Sequence, residues 1–225
     1  DCIFLDPARR NEHGGKTVAI SDCEPNVAKL EGLLLSKANR IMIKLSPMLD
    51  LSQALKELPH TQEVHIISVN NECKELLLLL GQTAPEEIPV HCVNLSTKGE
   101  QEKQLFVFTR EQEQHSECSY TDTLGNYLYE PNASLLKAGA FRSIAAAYSV
   151  KKLHPNSHLY TSETQIEGFP GRTFRIINRC SLNKKEIKEN LSDLKKANIT
   201  VRNFPATVAE LRKRIKLAEG GDTYL

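Results

Sequence analysis

Asp6 stands in Asp6-Pro7-Ala8-Arg9, directly after the β-branched and aromatic run Ile3-Phe4-Leu5. Proline cannot donate to a strand ladder, so Pro7 ends the strand and holds the carboxylate at its tip. Open α/β sheets gather ligands at the carboxyl ends of their strands. A carboxylate fixed there can accept hydrogen bonds from an amino group or a ribose hydroxyl; an ordinary Asp-Pro turn has the same sequence. A second apolar run, Ile41-Met42-Ile43, leads into Lys44-Leu45-Ser46-Pro47 and so faces the same crevice. Lys44 and Ser46 there are either substrate contacts or solvated strand-end groups. Between the two runs, His13-Gly14-Gly15-Lys16-Thr17 has the composition of a phosphate loop without the G-x-x-x-x-G-K spacing. The cysteines at 2, 23, 73, 92, 118 and 180 form no C-x-x-C and no close pairing with histidine. Reduced intracellular thiols are therefore expected, and a metal, zinc included, is not. His154 and His158 straddle Pro155, which spoils them as helical metal ligands.

The second chemical signal is charge. The chain has 29 Lys/Arg against 28 Asp/Glu, but they are not evenly spread. Residues 1–170 carry 22 acidic and 16 basic side chains, whereas residues 171–217 carry 13 basic and 4 acidic. Lys184, Lys185 and Lys188 cluster in one stretch and Arg212, Lys213 and Arg214 in another, with Arg172, Arg175 and Arg202 between and before them. Clustered Lys and Arg supply salt-dependent phosphate affinity, so a polyanionic partner is expected; a face kept charged for solubility would have the same composition. No apolar run approaches the ~20 residues of a membrane span, which excludes a helical membrane protein. With 40% hydrophobic and 25% charged residues the chain is neither disordered nor collagen-like. The absence of Trp and the 6% of aromatics argue against an aromatic-lined sugar or single-strand platform.

The elements that must position these residues follow from periodicity. The chain opens inside a strand, which reads as a fragment of a longer protein. A helix is expected from Pro25 with Val27, Leu30 and Leu34 on one face, then a strand at 41–43 and a helix over 51–58 capped by Asp50 with Gln53. A strand at 64–69 comes next, then a helix over 72–80 closed by Gly81, whose leucines at 76–80 are the longest apolar run. Strands at 90–95 and 105–108 form an antiparallel edge. The spacing predicts half of a doubly wound α/β domain, a parallel sheet covered on both faces, over residues 1–110. Residues 111–124 are polar and read as a linker or exposed loop. One helix is expected within 127–152, capped by Asn132 and striped by Leu136, Ala140 and Ile144. In 171–225 a strand at 173–177, two helices opened by Asn183 with Glu186 and Thr207 with Glu210, and strands at 199–204 and from 222 make a β-α-β-α-β unit.

Three stretches carry a family resemblance: 3–10, 14–25 and 42–50 are similar to the second half of a class I S-adenosylmethionine-dependent methyltransferase. The segments 129–132 and 154–161 resemble the ferredoxin-like middle module (125–170) of bacterial members that carry a C-terminal THUMP-like domain. Phe169-Pro170-Gly171-Arg172, Ile199 through Pro205 and Leu211 through Arg214 resemble that last domain (171–225). The resemblance implies a cytoplasmic RNA methyltransferase. Asp6, Pro7 and Arg9 would occupy its catalytic motif, with Lys44 and Ser46 binding substrate. Arg172, Arg175, Lys184, Lys185, Lys188, Arg202, Arg212, Lys213 and Arg214 would hold RNA. Ala8 and Arg9 replace the second proline and the aromatic of the family pattern. The glycine-rich loop for S-adenosylmethionine would lie before residue 1, so the cofactor belongs to the parent protein and this chain is not expected to bind it. A non-enzymatic RNA-binding adaptor, and methylation of a protein or small molecule, are the alternatives.

Overall fold

In the computed structural model, residues 1–9, 19–97 and 103–225 are described; the glycine loop at 13–17 and the Arg9 side chain lie outside them. β1 (Cys2–Leu5) is followed by the two-residue strand β2 (Ala8–Arg9), a single 3-10 turn, β3 (Cys23–Glu24), α1 (Val27–Lys37) and β4 (Arg40–Leu45). Alternation in β4 buries Ile41, Ile43 and Leu45 and leaves Met42 and Lys44 on the other side. Asn26 caps α1 by accepting the Lys29 N–H, and the helix returns the chain so that β4 lies parallel to β1. Asp50 opens α2 (Leu51–Glu57), its carboxylate accepting the Gln53 N–H at 2.8 Å.

The run expected as a third helix is instead a strand, β6 (Glu72–Gly81), antiparallel both to β5 (Thr61–Val69) and to β4. Leu76, Leu78 and Leu80 are buried on one face, with Leu77 and Leu79 half-buried on the other. Five consecutive leucines carry no period, so pattern alone cannot separate a buried strand from a helix. The turn decides. Asn70 and Asn71 both have positive φ, 50° and 63°, the geometry of a two-residue hairpin. Asn94 accepts the Asn71 N–H at 3.0 Å and Asn70 accepts that of Thr97, also at 3.0 Å, which locks it. The sheet is therefore mixed rather than parallel, in the order β1-β4-β6-β5-β7-β8. β7 (Pro89–Leu95) lies parallel to β5, and β8 (Lys103–Thr109) pairs antiparallel with β7 as the expected edge. α1 lies on β4; the opposite face exposes Phe4, Leu105 and Val107.

The polar stretch read as a linker begins with a helix, α3 (Arg110–His115), because Thr109 and Gln112 form a capping box. Its Glu113 reaches α5 (Arg142–Tyr148) and accepts the N–H groups of Phe141, Arg142 and Ser143 at 2.8–3.0 Å, satisfying orphan donors that Phe141 cannot. Where a single helix is expected within 127–152, the chain forms β9 (Tyr127–Pro131), α4 (Ala133–Ala138) and α5, followed by a two-residue strand at 151–152. Asn132 does cap α4, but Gly139 at φ 76° ends it after six residues. α4 packs on β5, β6 and β7, so one continuous core runs from Ile20 to Phe169. β10 (Lys151–Lys152), β11 (Tyr160–Ser162), β9 and β12 (Gly171–Arg175) form a second, four-stranded sheet.

β12 thus ties the C-terminal residues to β9. α6 (Lys184–Leu191) and α7 (Val208–Ile215) start at the expected caps, Asn183 and Thr207. The strands expected at 199–204 and from 222 do not form: only isolated bridges join Asn198 to Tyr224 and Lys196 to Ala218. Gly220 and Gly221, both at positive φ, kink the partner segment between the two bridges. Backbone N–H groups of Ser181 and Thr207 hold Glu186 and Glu210 below the ordinary carboxylate value of 4.5. A depressed folded value gives stability that is complete above about pH 4.5 and shed as the pH falls through the lower folded value. The Cα shifts of 184–191 and 208–215 should move toward coil between about pH 5 and pH 3 before those of β5 and β6; shifts that stay constant in this window would deny the caps a role.

Candidate active site

β1 and β4 are adjacent and parallel, so their carboxyl ends open on one side of the sheet. Asp6 is the residue after β1, and the buried ring of Pro7 anchors it. Beyond it β2 pairs antiparallel with β3, a small ribbon that fixes where the chain leaves the sheet. Lys44, on β4, places its Nζ 2.7 Å from Asp6 Oδ2 and 3.7 Å from Glu75 Oε2 on β6. The hydrogen bond to Asp6 holds Lys44 above its ordinary value of 10.5, with Glu75 adding to the effect. Lys44 is accordingly a fixed cation and donor, not a base. Ser46 Oγ accepts the Met48 N–H at 3.2 Å and Ser46 O that of Leu49 at 3.1 Å, a tight turn at the strand end. Lys137 of α4 donates to Leu49 O at 2.7 Å and pins that turn to the sheet.

Asp6, Pro7, Lys44 and Ser46 line one cavity of about 200 Å³, with Lys74 and Glu75 as its further wall. Four sequence-selected residues therefore meet in one place, and the backbone of Arg9 lies beside them in β2. Lys74 and Glu75 were not anticipated, because residues 72–80 read as a helix. A strand reading sets Leu77 opposite Lys44 and Glu75 two residues along the same face. Lys44 holds one oxygen of Asp6, whose side chain is 54% exposed. The remaining lone pairs can accept a hydrogen bond from an incoming N–H or O–H and orient the atom that bears it. The cavity is smaller than the ~300 Å³ at which pockets for whole ligands begin. It takes a reacting group rather than a whole nucleoside cofactor.

The basic residues divide into two sets. Arg172 and Arg202 both bind the Glu130 carboxylate, and the Arg172 guanidinium lies 5.2 Å from the ring centres of Phe174 and Tyr224. Arg212 donates to the carbonyls of Ala197 and Leu217 at 3.4 and 3.2 Å. These three arginines are engaged inside the fold, where a planar five-donor fork serves better than a lysine. Arg175, Lys184, Lys185, Lys188, Lys213 and Arg214 are exposed. The contact of Lys185 with Glu189, 4.0 Å long and on the surface, costs little to break.

Among the described residues no helix is long and apolar enough to cross a membrane. Comparison with curated proteins gives no match. Residues 127–170 match a family described as a ferredoxin-like domain, and residues 171–225 one described as THUMP domain-like. Among solved structures, the chain is similar to a candidate methyltransferase from Porphyromonas gingivalis W83, with 41% identity and a TM-score of 0.88. That match covers 100% of this chain and 55% of the other, so the chain spans about half the length of its relative. The chain is a mixed α/β fold with ferredoxin-like and THUMP-like domains, similar over its whole length to a candidate methyltransferase.

Proposed function

We propose that this chain is the acceptor-positioning and RNA-holding part of an S-adenosylmethionine-dependent RNA methyltransferase. The observation that carries the reading is Asp6, held by Lys44 at 2.7 Å over a cavity at the shared carboxyl end of two parallel strands. S-adenosylmethionine supplies the methyl group when bound; the residues described here serve the acceptor. Asp6 accepts a hydrogen bond from the acceptor's N–H or O–H, and Lys44 keeps that carboxylate in one rotamer. Pro7 and the β2–β3 ribbon keep the backbone still, so the acceptor meets a preformed geometry. The exposed lysines of α6, with Lys213 and Arg214 of α7, contact phosphates, which sets the register of the RNA without reading its bases.

The test is RNA binding by the 225-residue chain across a salt series. Affinity should fall by orders of magnitude from low to near-physiological salt, with a slope of about −0.7 per phosphate contact on single strands. Replacing Lys184, Lys185 and Lys188 with Ala should flatten the slope by up to about two units and weaken all sequences alike. Lys213→Ala with Arg214→Ala should act similarly, while Arg212 is left intact because it supports the fold. Binding indifferent to salt and to these substitutions would reduce the charges to a solubility role.

A further inference from the structure

On the exposed face of the main sheet, two strands across from Lys44 in the register, three Lewis-basic side chains converge. Glu63 and His65 are two residues apart on β5 and so point to one face. His91 sits on β7, the parallel neighbour, directly beside His65 in the register. Strand spacing then stacks the two imidazoles, with centroids 4.3 Å apart and planes 6° from parallel. His65 Nε2 lies 3.1 Å and His91 Nε2 3.9 Å from the same carboxylate oxygen, Glu63 Oε2. The ligand atoms of all three residues lie within 4.8 Å of one another. The side chains are 45%, 27% and 25% exposed, so the group is accessible yet partly shielded. The neighbours in register are apolar, Leu77 beside His65 and Val107 beside His91.

A hydrogen-bond account covers only part of this. One proton between Glu63 and His65 explains the 3.1 Å contact, but His91 at 3.9 Å is outside hydrogen-bond reach of the same oxygen. Two imidazole nitrogens and one carboxylate oxygen are the donor set of open zinc sites, with metal–ligand bonds of about 2.0–2.2 Å. Ligand atoms on a tetrahedral ion of that size stand about 3.3 Å apart, close to the separations of 3.1 and 3.9 Å, and the two stacked imidazoles must rotate out of parallel for both Nε2 lone pairs to meet at one ion. Imidazole with one carboxylate selects a first-row transition ion over calcium or magnesium, which take mainly oxygen ligands.

We propose that Glu63, His65 and His91 form a binding site for one divalent transition-metal ion of the zinc class, with water completing the coordination. The spacing hides it from motif searches: Glu-x-His is a strand dyad, and its third member comes from a strand 26 residues on, placed by the parallel register.

The probes are Zn²⁺ by calorimetry and Co²⁺ by visible absorption, on the full chain after chelator treatment and alkylation of exposed thiols. One equivalent should bind per chain, and Co²⁺ should develop the visible bands of a low-coordinate nitrogen–oxygen site. His65→Gln, His91→Gln and Glu63→Gln should each weaken binding by at least ~10-fold, the lower bound for loss of even an outer-shell partner. His154→Gln, outside the cluster, should leave it unchanged. Circular dichroism confirms that each variant is folded, and Glu63→Gln keeps the side-chain shape if a histidine variant does not fold. No binding by the chain, or binding that survives Glu63→Gln and the histidine substitutions, overturns the proposal. So does binding abolished by His154→Gln.

Discussion

In the proposed methyltransferase, Asp6→Ala is expected to lower methyl transfer by at least ~100-fold, the scale set by losing the alignment of a reacting group. Its thermal midpoint should stay within a few degrees. The two halves of this expectation have separate physical sources. The Asp6 side chain is 54% exposed and its ion pair with Lys44 is solvated, so removing it costs about 0–1 kcal/mol. For a chain of this size that corresponds to about 2–4 °C at most. The strand end itself is held by Pro7 and the β2–β3 ribbon, which the substitution leaves in place. Lys44→Met is the companion variant: it keeps the carboxylate but frees its rotamer, so a smaller loss is expected than for Asp6→Ala. Full activity in the Asp6 variant would leave Asp6 as a turn residue that ends a strand.

Asp6, Pro7, Lys44 and Ser46 were legible in the sequence as crevice candidates because each stands at or next to a local signal. Pro7 and Pro47 end apolar runs, and pairing two such runs in parallel brings the residues at their carboxyl ends together. The helix starts at Asn132, Asn183 and Thr207 were legible for the same reason, since a cap bonds within its own first turn. Glu72–Gly81 was not. Its identity as a strand depends on pairing with β4 and β5, and the only local hint, Asn70-Asn71, is a weaker hairpin signal than Asn-Gly. That misreading cost the site Lys74 and Glu75, which line the cavity only in an extended chain. Charge counting found the basic end but could not sort it. Whether an arginine faces solvent or a buried carboxylate depends on where Glu130 falls, 42 residues before Arg172 in the chain.

Glu130→Gln should destabilise the attachment of the C-terminal residues more than any substitution among the exposed cations. The Glu130 side chain is 5% exposed on the central strand β9, and it joins two modules. Arg172 donates from Nε at 2.9 Å and from Nη2, and Arg202 binds the other carboxylate oxygen. Removing one partner of a buried ion pair typically costs about 3–5 kcal/mol because uncompensated charge stays behind. Here the arginines are 35% and 40% exposed and regain water, so about 2–3 kcal/mol is expected. The loss should be local. Among the described residues after 170, the buried apolar side chains are Ala197, Leu211 and Leu217 alone, too few to fold that segment without its anchor. Hydrogen exchange should therefore accelerate in α6, α7 and the bridges at Asn198 and Tyr224, while β5 and β6 keep their protection. A cycle with Arg202→Ala should show strong coupling, since either change frees the same carboxylate–guanidinium contact. Protection that falls equally in both sheets, or does not fall at all, would mean that β12 pairing rather than the Glu130 clamp holds the basic module in place.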